Sequence, residues 1–312
     1  METMNAVRIH TYGGPEVLVY EEVLRPQPKN GELLIRVEAA AVNPVDWKVR
    51  EGYLSEMVPH SLPLIMGWDV SGVVEETGPG VTRFKVGDEV FSRPDLLRDG
   101  AYAEYIVIRE TEVAFKPGSI DHLHAAAIPL AGLTAWKSLI EVAGLAPGQR
   151  TLIHGAAGGV GSYAVQLAKW RGAHVIATAS EYNHDYLREL GADEAVDYRV
   201  THFEDITRDI DVVFDTIGGD TQERSWQVLK KGGILVSIVS PPLPEKAAVH
   251  GVRQAFVFIQ PDAAALEELA NLVDSGILRP NLEAVLPLAE ARRAQELSQR
   301  GHVRGKIVLK VV

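Results

Sequence analysis

The sequence predicts an α/β chain in which a parallel-sheet unit interrupts a β-rich domain. Three observations carry this. Short strand-like runs separated by turn residues fill the first third, strands and helices alternate through the middle, and the tail returns to the style of the beginning. The 312 residues suit two domains at ~100–200 residues each. A hydrophobic fraction of 46% and a charged fraction of 23% are ordinary for a chain that buries a sizeable core.

The opening runs Asn5–His10, Val17–Val23 and Leu33–Ala41 are divided by Gly13-Gly14-Pro15 and by Pro26–Gly31, which is turn chemistry. Val70–Glu75, Glu89–Ser92 and Ala101–Ile108 continue the pattern, with Gly78-Pro79-Gly80 and Gly87-Asp88 as turns. Such spacing suggests a compact barrel or sandwich. The rhythm then changes. Arg150–His154 reads as a short apolar strand, and Gly159–Arg171 as a helix with Val160, Ala164, Leu167 and Ala168 on one face. His174–Ala179 is a strand, and Asn183–Leu190 a helix ended by Gly191. Ala195–Tyr198, Val212–Thr216, Ile234–Val239 and Ala255–Ile259 are further strands. Alternation of this kind implies a doubly wound parallel sheet covered on both faces. Ala263–Ser275 and Leu288–Ser298 read as helices and Lys306–Val312 as a last strand.

Composition excludes several functions. A net charge of -11, with no dense run of Lys and Arg, argues against general nucleic-acid binding. The chain has no cysteine, hence no disulfide, thiol nucleophile or thiolate metal site. Met1–His10 carries no apolar signal core. The longest apolar stretch, Ala125–Trp136, is broken by Pro129 and falls short of the ~20 residues of a spanning helix. A cytoplasmic protein without membrane partners is expected.

Gly155-Ala156-Ala157-Gly158-Gly159-Val160-Gly161 follows the strand that ends at His154 and opens the next helix. Strand, glycine turn and helix in that order is the context a dinucleotide fingerprint requires. Glycines permit the tight turn and the close approach of a pyrophosphate, and the helix N-terminus offers it N–H groups. Gly155, Ala157, Gly158, Gly159 and Val160 are therefore expected at the cofactor. In an NAD site an acidic residue ends the second strand. Here that strand ends Thr178-Ala179-Ser180, and Ser180, Asn183 and Tyr198 can serve a 2′-phosphate, which favours NADPH over NADH. Glu181, one residue on, is the counter-evidence, and Ser180 could instead cap the following helix. Ile217, Ser240 and Phe258 fall at or near C-terminal strand ends, where an open α/β sheet forms its ligand crevice.

Seven segments, in order along almost the whole chain, resemble the medium-chain dehydrogenase/reductase superfamily. They are Asn43-Pro44-Val45-Asp46, Gly67-Trp68-Asp69-Val70-Ser71-Gly72, Gly87-Asp88-Glu89-Val90, residues 129–136, the 155–161 turn, Leu190-Gly191-Ala192-Asp193 and Arg304-Gly305-Lys306. The match is to its zinc-free, quinone oxidoreductase-like branch. The resemblance implies a GroES-like β-rich catalytic domain, residues 1–122 completed by 261–312, around a Rossmann NADP(H)-binding domain of residues 123–260. It also implies cofactor contacts at Asn43, Thr134 and Lys306, and a homodimer, with the apolar edge strand Ala255–Ile259 inviting a second copy.

Zinc-dependent members carry Cys and Gly-His-Glu at the catalytic site. Here Asp46 or a neighbour stands for the cysteine and Gly67-Trp68-Asp69 for Gly-His-Glu. Catalytic Zn²⁺ needs about three protein ligands. The histidines are scattered, and His122 and His124 do not share a helix face, so no zinc is expected. Without a metal, a bound nicotinamide can still deliver hydride to an electron-poor carbon, in a quinone or an α,β-unsaturated carbonyl compound. Candidates for stabilising the resulting oxyanion lie in residues 43–53. Lys48 could hold the carbonyl oxygen, or simply face solvent. Tyr53 could donate from its hydroxyl, or be a rim aromatic. Asn43 could border the nicotinamide while also starting a helix with Pro44 and Asp46. Asp46 is expected to pair with Arg50 on the helix surface. The competing functions are a specialised enoyl reductase that uses Tyr53 as acid, and a non-catalytic NADPH-binding structural or sensor protein.

Overall fold

In the computed structural model, which describes residues 2–312, contacts group the chain into two compact units. The first runs to Leu130 and resumes over Gln260–Gly276 and Pro280–Val312; the second is Ala131–Ile259 with Ile277–Arg279. The second unit is thus inserted into the first in sequence, and the first unit's opening segment ends at Leu130.

The first unit holds β1 (Thr3–Ile9), β2 (Leu18–Leu24), β3 (Glu32–Val42), β4 (Leu64–Ile65), β5 (Val70–Thr77), β6 (Glu89–Ser92), β7 (Tyr105–Arg109) and β8 (Val113–Phe115). Helices α1 (Pro44–Arg50) and α2 (His122–Ala126) belong to it, and α3 (Pro129–Trp136) begins at its end. In the second unit, Arg150–Ile153 is β9, Gly159–Trp170 α4, His174–Ala179 β10, His184–Glu189 α5, Glu194–Asp197 β11 and Phe203–Ile206 α6. It continues with β12 (Ile210–Asp215), α7 (Gly219–Ser225), β13 (Leu229–Ser237), α8 (Pro244–His250) and β14 (Arg253–Phe256). The returning segment adds α9 (Ala263–Asp274), β15 (Leu282–Pro287), α10 (Ala291–Arg300) and β16 (Lys306–Lys310) to the first unit.

The first unit has a three-stranded sheet, β2-β1-β4, and a seven-stranded one ordered β15-β16-β3-β5-β6-β8, with β7 also on β3. β3 is long and almost wholly buried because it carries partners along both edges: β5 on one, and β7 followed by β16 on the other. Its core gathers Ile35, Val37, Trp68, Val70, Tyr102 and Ile307. The tail therefore completes the first unit through hydrogen bonds as well as packing, since Val308 pairs Ala41 and Leu309 pairs Ala40.

The second unit is a six-stranded, all-parallel sheet ordered β11-β10-β9-β12-β13-β14. Order 3-2-1-4-5-6 within the unit is the dinucleotide-binding arrangement, with the reversal between β9 and β12. The central strands are buried on both faces and therefore read as apolar runs.

Several boundaries differ from expectation. The strand expected over Ala255–Ile259 lies at Arg253–Phe256, so Phe258 falls beyond it. The strand expected over Ala101–Ile108 starts only at Tyr105, because residues 100–102 instead bond back to 65–67. The last helix is Ala291–Arg300, after a short turn over Leu288–Glu290.

Candidate active site

The residues that open α1 enclose a buried polar cluster in the first unit. Asn43 follows β3 in extended conformation as the N-cap of α1, and Pro44 starts the helix with a preset φ. Asp46 reaches back, accepting the Asn43 backbone N–H at 2.7 Å on Oδ2, and the same oxygen accepts the Tyr102 hydroxyl at 2.8 Å. The expected Asp46–Arg50 ion pair does not form. Both side chains are buried on different partners, Arg50 donating to the Gly13 carbonyl, Gln295 and Glu51. Helical spacing predicts a surface pair only when that face meets water, and here it is covered.

The Asn43 carboxamide is spent inside the unit. Its Nδ2 donates to Asp69 Oδ2 at 2.8 Å, and its Oδ1 accepts from the Lys306 ammonium. Lys306 Nζ also donates to Asp69 Oδ2 at 3.1 Å, and the Leu130 N–H donates to Asp69 Oδ1 at 2.6 Å. Asp69 thus accepts on both oxygens. Burial raises its pKa, against the Lys306 ammonium, which favours the charged form. Burial pushes Asp46 up to about 7, and its Oδ1 has no partner. Lys306 is buried with its ammonium committed to Asn43 and Asp69. Asn43 likewise serves to join β3, the 67–69 segment and β16.

Of the other first-unit candidates, Lys48 is half-buried with its ammonium 5.7 Å from the Trp47 ring centroid, and desolvation lowers its pKa. Tyr53 is 70% exposed and edge-on to Trp47. The neighbouring Glu51 raises its pKa. His122 starts α2 and meets Ser71 Oγ at 2.8 Å, while His124 stays with Asp121.

The donor set around Asn43 does not fit zinc. It offers no thiol or imidazole, Asp69 is fully engaged, and an ammonium already lies against its carboxylate. Among the described residues no group of three or more His, Cys, Asp or Glu could hold a metal.

The second unit carries the fingerprint. Gly155 has φ +61, which a residue with a Cβ rarely adopts, and a Cβ on Gly161 would collide with the Gly155 carbonyl. Helix α4 therefore starts hard against the end of β9. Gly158 caps it in extended conformation, and Gly159 and Val160 form its first turn, where N–H groups are free of intrahelical partners. Ala157 is buried beside them, and Thr134 is buried in α3. These atoms can cradle a pyrophosphate.

The structure brings Ser180, Asn183 and Tyr198 to the C-terminal ends of the paired strands β10 and β11. Asn183 Nδ2 donates to Ser180 Oγ at 3.2 Å, and Tyr198 N–H donates to the Ala179 carbonyl at 3.3 Å. Ser180 makes no side-chain cap, so the capping alternative fails. His184 Nε2, which sequence reasoning missed, is buried here without a hydrogen-bond partner.

Asp215 was also missed. Its Oδ1 accepts the N–H groups of Ile217 and Gly218 at 2.9 and 2.8 Å, and its Oδ2 accepts from Gln222 and Ser237 at 3.0 and 2.9 Å. Gln222 in turn donates to the Ser240 carbonyl at 3.1 Å. One buried carboxylate thus shapes the loops carrying Ile217 and Ser240. The signal was available: an acidic residue at the end of the otherwise apolar run Val212–Thr216. Phe258 lies past the end of β14, next to Val257, whose N–H donates to the Ser237 carbonyl at 2.9 Å.

Comparison with known proteins agrees with this geometry. Residues 29–118 match the alcohol dehydrogenase GroES-like domain family, and residues 190–309 the zinc-binding dehydrogenase family. A mitochondrial NAD(P)H oxidoreductase of Mus musculus, RTN4IP1, is 36% identical over 99% of this chain and 89% of its own length. A chloroplastic NADPH-dependent alkenal/one oxidoreductase of Arabidopsis thaliana is 36% identical over 96% of this chain and 77% of its own. The solved quinone oxidoreductase of Coxiella burnetii superposes with TM-score 0.93 at 35% identity, covering 100% of both chains. With its GroES-like domain, its dinucleotide-binding sheet and these relatives, the chain belongs to the medium-chain dehydrogenase/reductase superfamily, in the quinone oxidoreductase-like branch.

Proposed function

We propose that this chain is an NADPH-dependent reductase that places hydride on carbon of a quinone or an α,β-unsaturated carbonyl compound, without a metal ion. The carrying observation is the Asn43–Asp69–Lys306 cluster, where an internal ammonium neutralises the acidic residue and no metal donor set is present. Polarisation of the substrate oxygen then falls to protein cations and hydroxyls. NADPH, when bound, supplies the hydride. The glycine turn before α4 would hold its pyrophosphate, and Ser180, Asn183 and Tyr198 its 2′-phosphate. Names of relatives as an NAD(P)H oxidoreductase, an alkenal/one oxidoreductase and a quinone oxidoreductase support this class.

The test is NADPH oxidation with a panel of quinones and enones, with and without a chelator. Turnover that survives chelation and prefers NADPH to NADH is expected. Tight NADPH binding without turnover of any acceptor would instead establish the binding-protein alternative. Loss of activity on chelation, restored by stoichiometric zinc, would refute the metal-free mechanism. An enoyl reductase relying on the exposed Tyr53 predicts that Tyr53→Phe abolishes turnover.

A homodimer is part of the proposal. β14 is an edge strand of the parallel sheet, with Phe256 partly exposed. A monomer in light scattering at micromolar concentration would remove that element. A cytoplasmic location is kept as a proposal as well, although relatives carry mitochondrial and chloroplastic names. Among the described residues no helix is long and apolar enough to cross a membrane. Fractionation of cells that express the protein would decide the location.

A further inference from the structure

The glycine turn of the second unit is braced by side chains. The ladders that hold β9 run out at Ile153, which pairs Ala177 of β10 on one edge and Phe214 of β12 on the other. His154 comes next and still donates its N–H to the Phe214 carbonyl at 3.0 Å. Beyond it, strand pairing no longer fixes the backbone, and three other bonds take over. Thr216 Oγ1 donates to the His154 carbonyl at 2.7 Å and so sets the plane of the peptide that enters Gly155. The Ala156 N–H donates to the Thr178 carbonyl at 3.1 Å. The third bond joins the side chains of the same two segments, His154 Nδ1 and Thr178 Oγ1, at 3.1 Å.

The far side of the ring fixes the direction of that third bond. Ser225 Oγ gives its proton to the Thr221 carbonyl at 2.6 Å and accepts from His154 Nε2–H at 3.0 Å. The neutral imidazole then carries its proton on Nε2, and Nδ1 accepts from the Thr178 hydroxyl. His154, Thr178 and Ser225 are all buried, and the ring packs on Phe203 with centroids 4.6 Å apart. Asp215, Arg224 and Glu204 act on it through charge, but its two nitrogens bond only Thr178 and Ser225. Thr178 is the junction: its hydroxyl meets the imidazole while its carbonyl holds the turn at Ala156. Little slack remains beyond that point. The Gly155 carbonyl accepts the Gly158 N–H at 3.0 Å and lies where a Cβ on Gly161 would collide with it. A shift at Ala156 therefore reaches the first turn of α4, whose N–H groups must already be aimed if they are to bind an anion tightly.

We infer that His154 is a positioning residue for the dinucleotide: through Thr178 it holds the glycine turn in the shape that presents N–H groups to the pyrophosphate. This deepens the cofactor reading above and rests on it. A neutral imidazole suits the task because it offers one donor and one acceptor at fixed places on a rigid ring. An apolar ring in its place would keep the packing on Phe203 and leave the buried Thr178 hydroxyl unpaired, free to draw the backbone elsewhere for a partner.

His154→Phe, which keeps a ring, and Thr178→Val, which keeps the shape and the carbonyl, are compared with the parent protein and with the double variant. Calorimetry gives the Kd of each for NADPH and for adenosine 2′-monophosphate, a probe that carries the 2′-phosphate and no pyrophosphate. H154F and T178V should each lose about tenfold in NADPH affinity and bind the monophosphate within about threefold of the parent. A residue that merely stabilises the core moves both affinities together or neither. The double variant should bind NADPH within about threefold of the weaker single variant, since both substitutions cut the same bond. His154→Gln, which restores one donor and one acceptor, should recover part of the loss. NADPH affinities that match the parent, equal losses for the two ligands, or losses that multiply in the double variant would overturn the inference; if H154F does not fold, T178V alone decides. A parent protein that binds NADH in preference to NADPH refutes only the 2′-phosphate assignment, and NADH set against adenosine 5′-monophosphate and adenosine then makes the same comparison. One that binds neither dinucleotide refutes the cofactor reading and this inference together.

Discussion

His154, at the end of β9, is held neutral by its surroundings. Ser225 Oγ donates to the Thr221 carbonyl at 2.6 Å, so it accepts from His154 Nε2–H at 3.0 Å; Nδ1 then accepts from Thr178 Oγ1 at 3.1 Å. The ring packs on Phe203 and is buried, and burial lowers its pKa from 6.5 to about 4. Above the unfolded value both states are neutral and the group is silent. As pH falls below it, the unfolded chain takes up a proton that the folded chain refuses, so stability is lost between about 6.5 and about 4. At 1.36 kcal/mol per unit the whole gap is about 3 kcal/mol, of which about 2 kcal/mol is lost by about pH 5. His154→Gln cannot take a proton. Urea unfolding of both proteins, cofactor-free, at pH 7.5 and 5 isolates the residue from the other titrating groups. The parent protein should lose about 2 kcal/mol more than the variant on acidification. Parallel losses would show that the imidazole protonates without cost in the folded state, and the argument from its hydrogen bonds would fall.

Two further outcomes follow from the Asn43 cluster. Lys306→Met should cost about 3–5 kcal/mol, because it strands a buried carboxylate, and adding Asp69→Asn should recover at least about 1 kcal/mol of that; additive losses would mean that the two groups are uncoupled. Asp46 is the acid case, its folded pKa raised from 3.8 to about 7. Its contribution is present at low pH and lost as pH rises through that window, by up to about 4 kcal/mol. Asp46→Asn should therefore match the parent protein near pH 4 and exceed it in stability at pH 8, as read by denaturant midpoints. A stability difference constant across that range would refute it.

Much of the second unit was legible from local pattern. The glycine spacing, the apolar runs and the helix over Gly159–Trp170 are set by steric freedom at Gly155 and by periodicity, both properties of neighbouring residues. Strand ends were less legible. Tyr105 begins a strand and Ala101 does not, because residues from 65 to 67 capture the backbone before it. The Asp46–Arg50 spacing was read as a surface pair, and the error lies in not knowing which face of α1 is covered. Likewise, capping was the alternative to a phosphate contact at Ser180, and its hydroxyl oxygen instead accepts from Asn183.

By itself the sequence determined the class of this protein: an inserted dinucleotide-binding unit, no cysteine, and no histidine or glutamate where a zinc site would need them. Those are matters of which residues exist and in what order. Tertiary structure alone decided what the charged residues do. Lys306 lies far along the chain from Asn43 and Asp69 and meets them only because β16 pairs with β3. Asp215 gathers its donors from a loop, a helix and the next strand. Local chemistry is written in the order of residues, whereas the field at a buried charge is a sum over distant ones, and only folding brings those together.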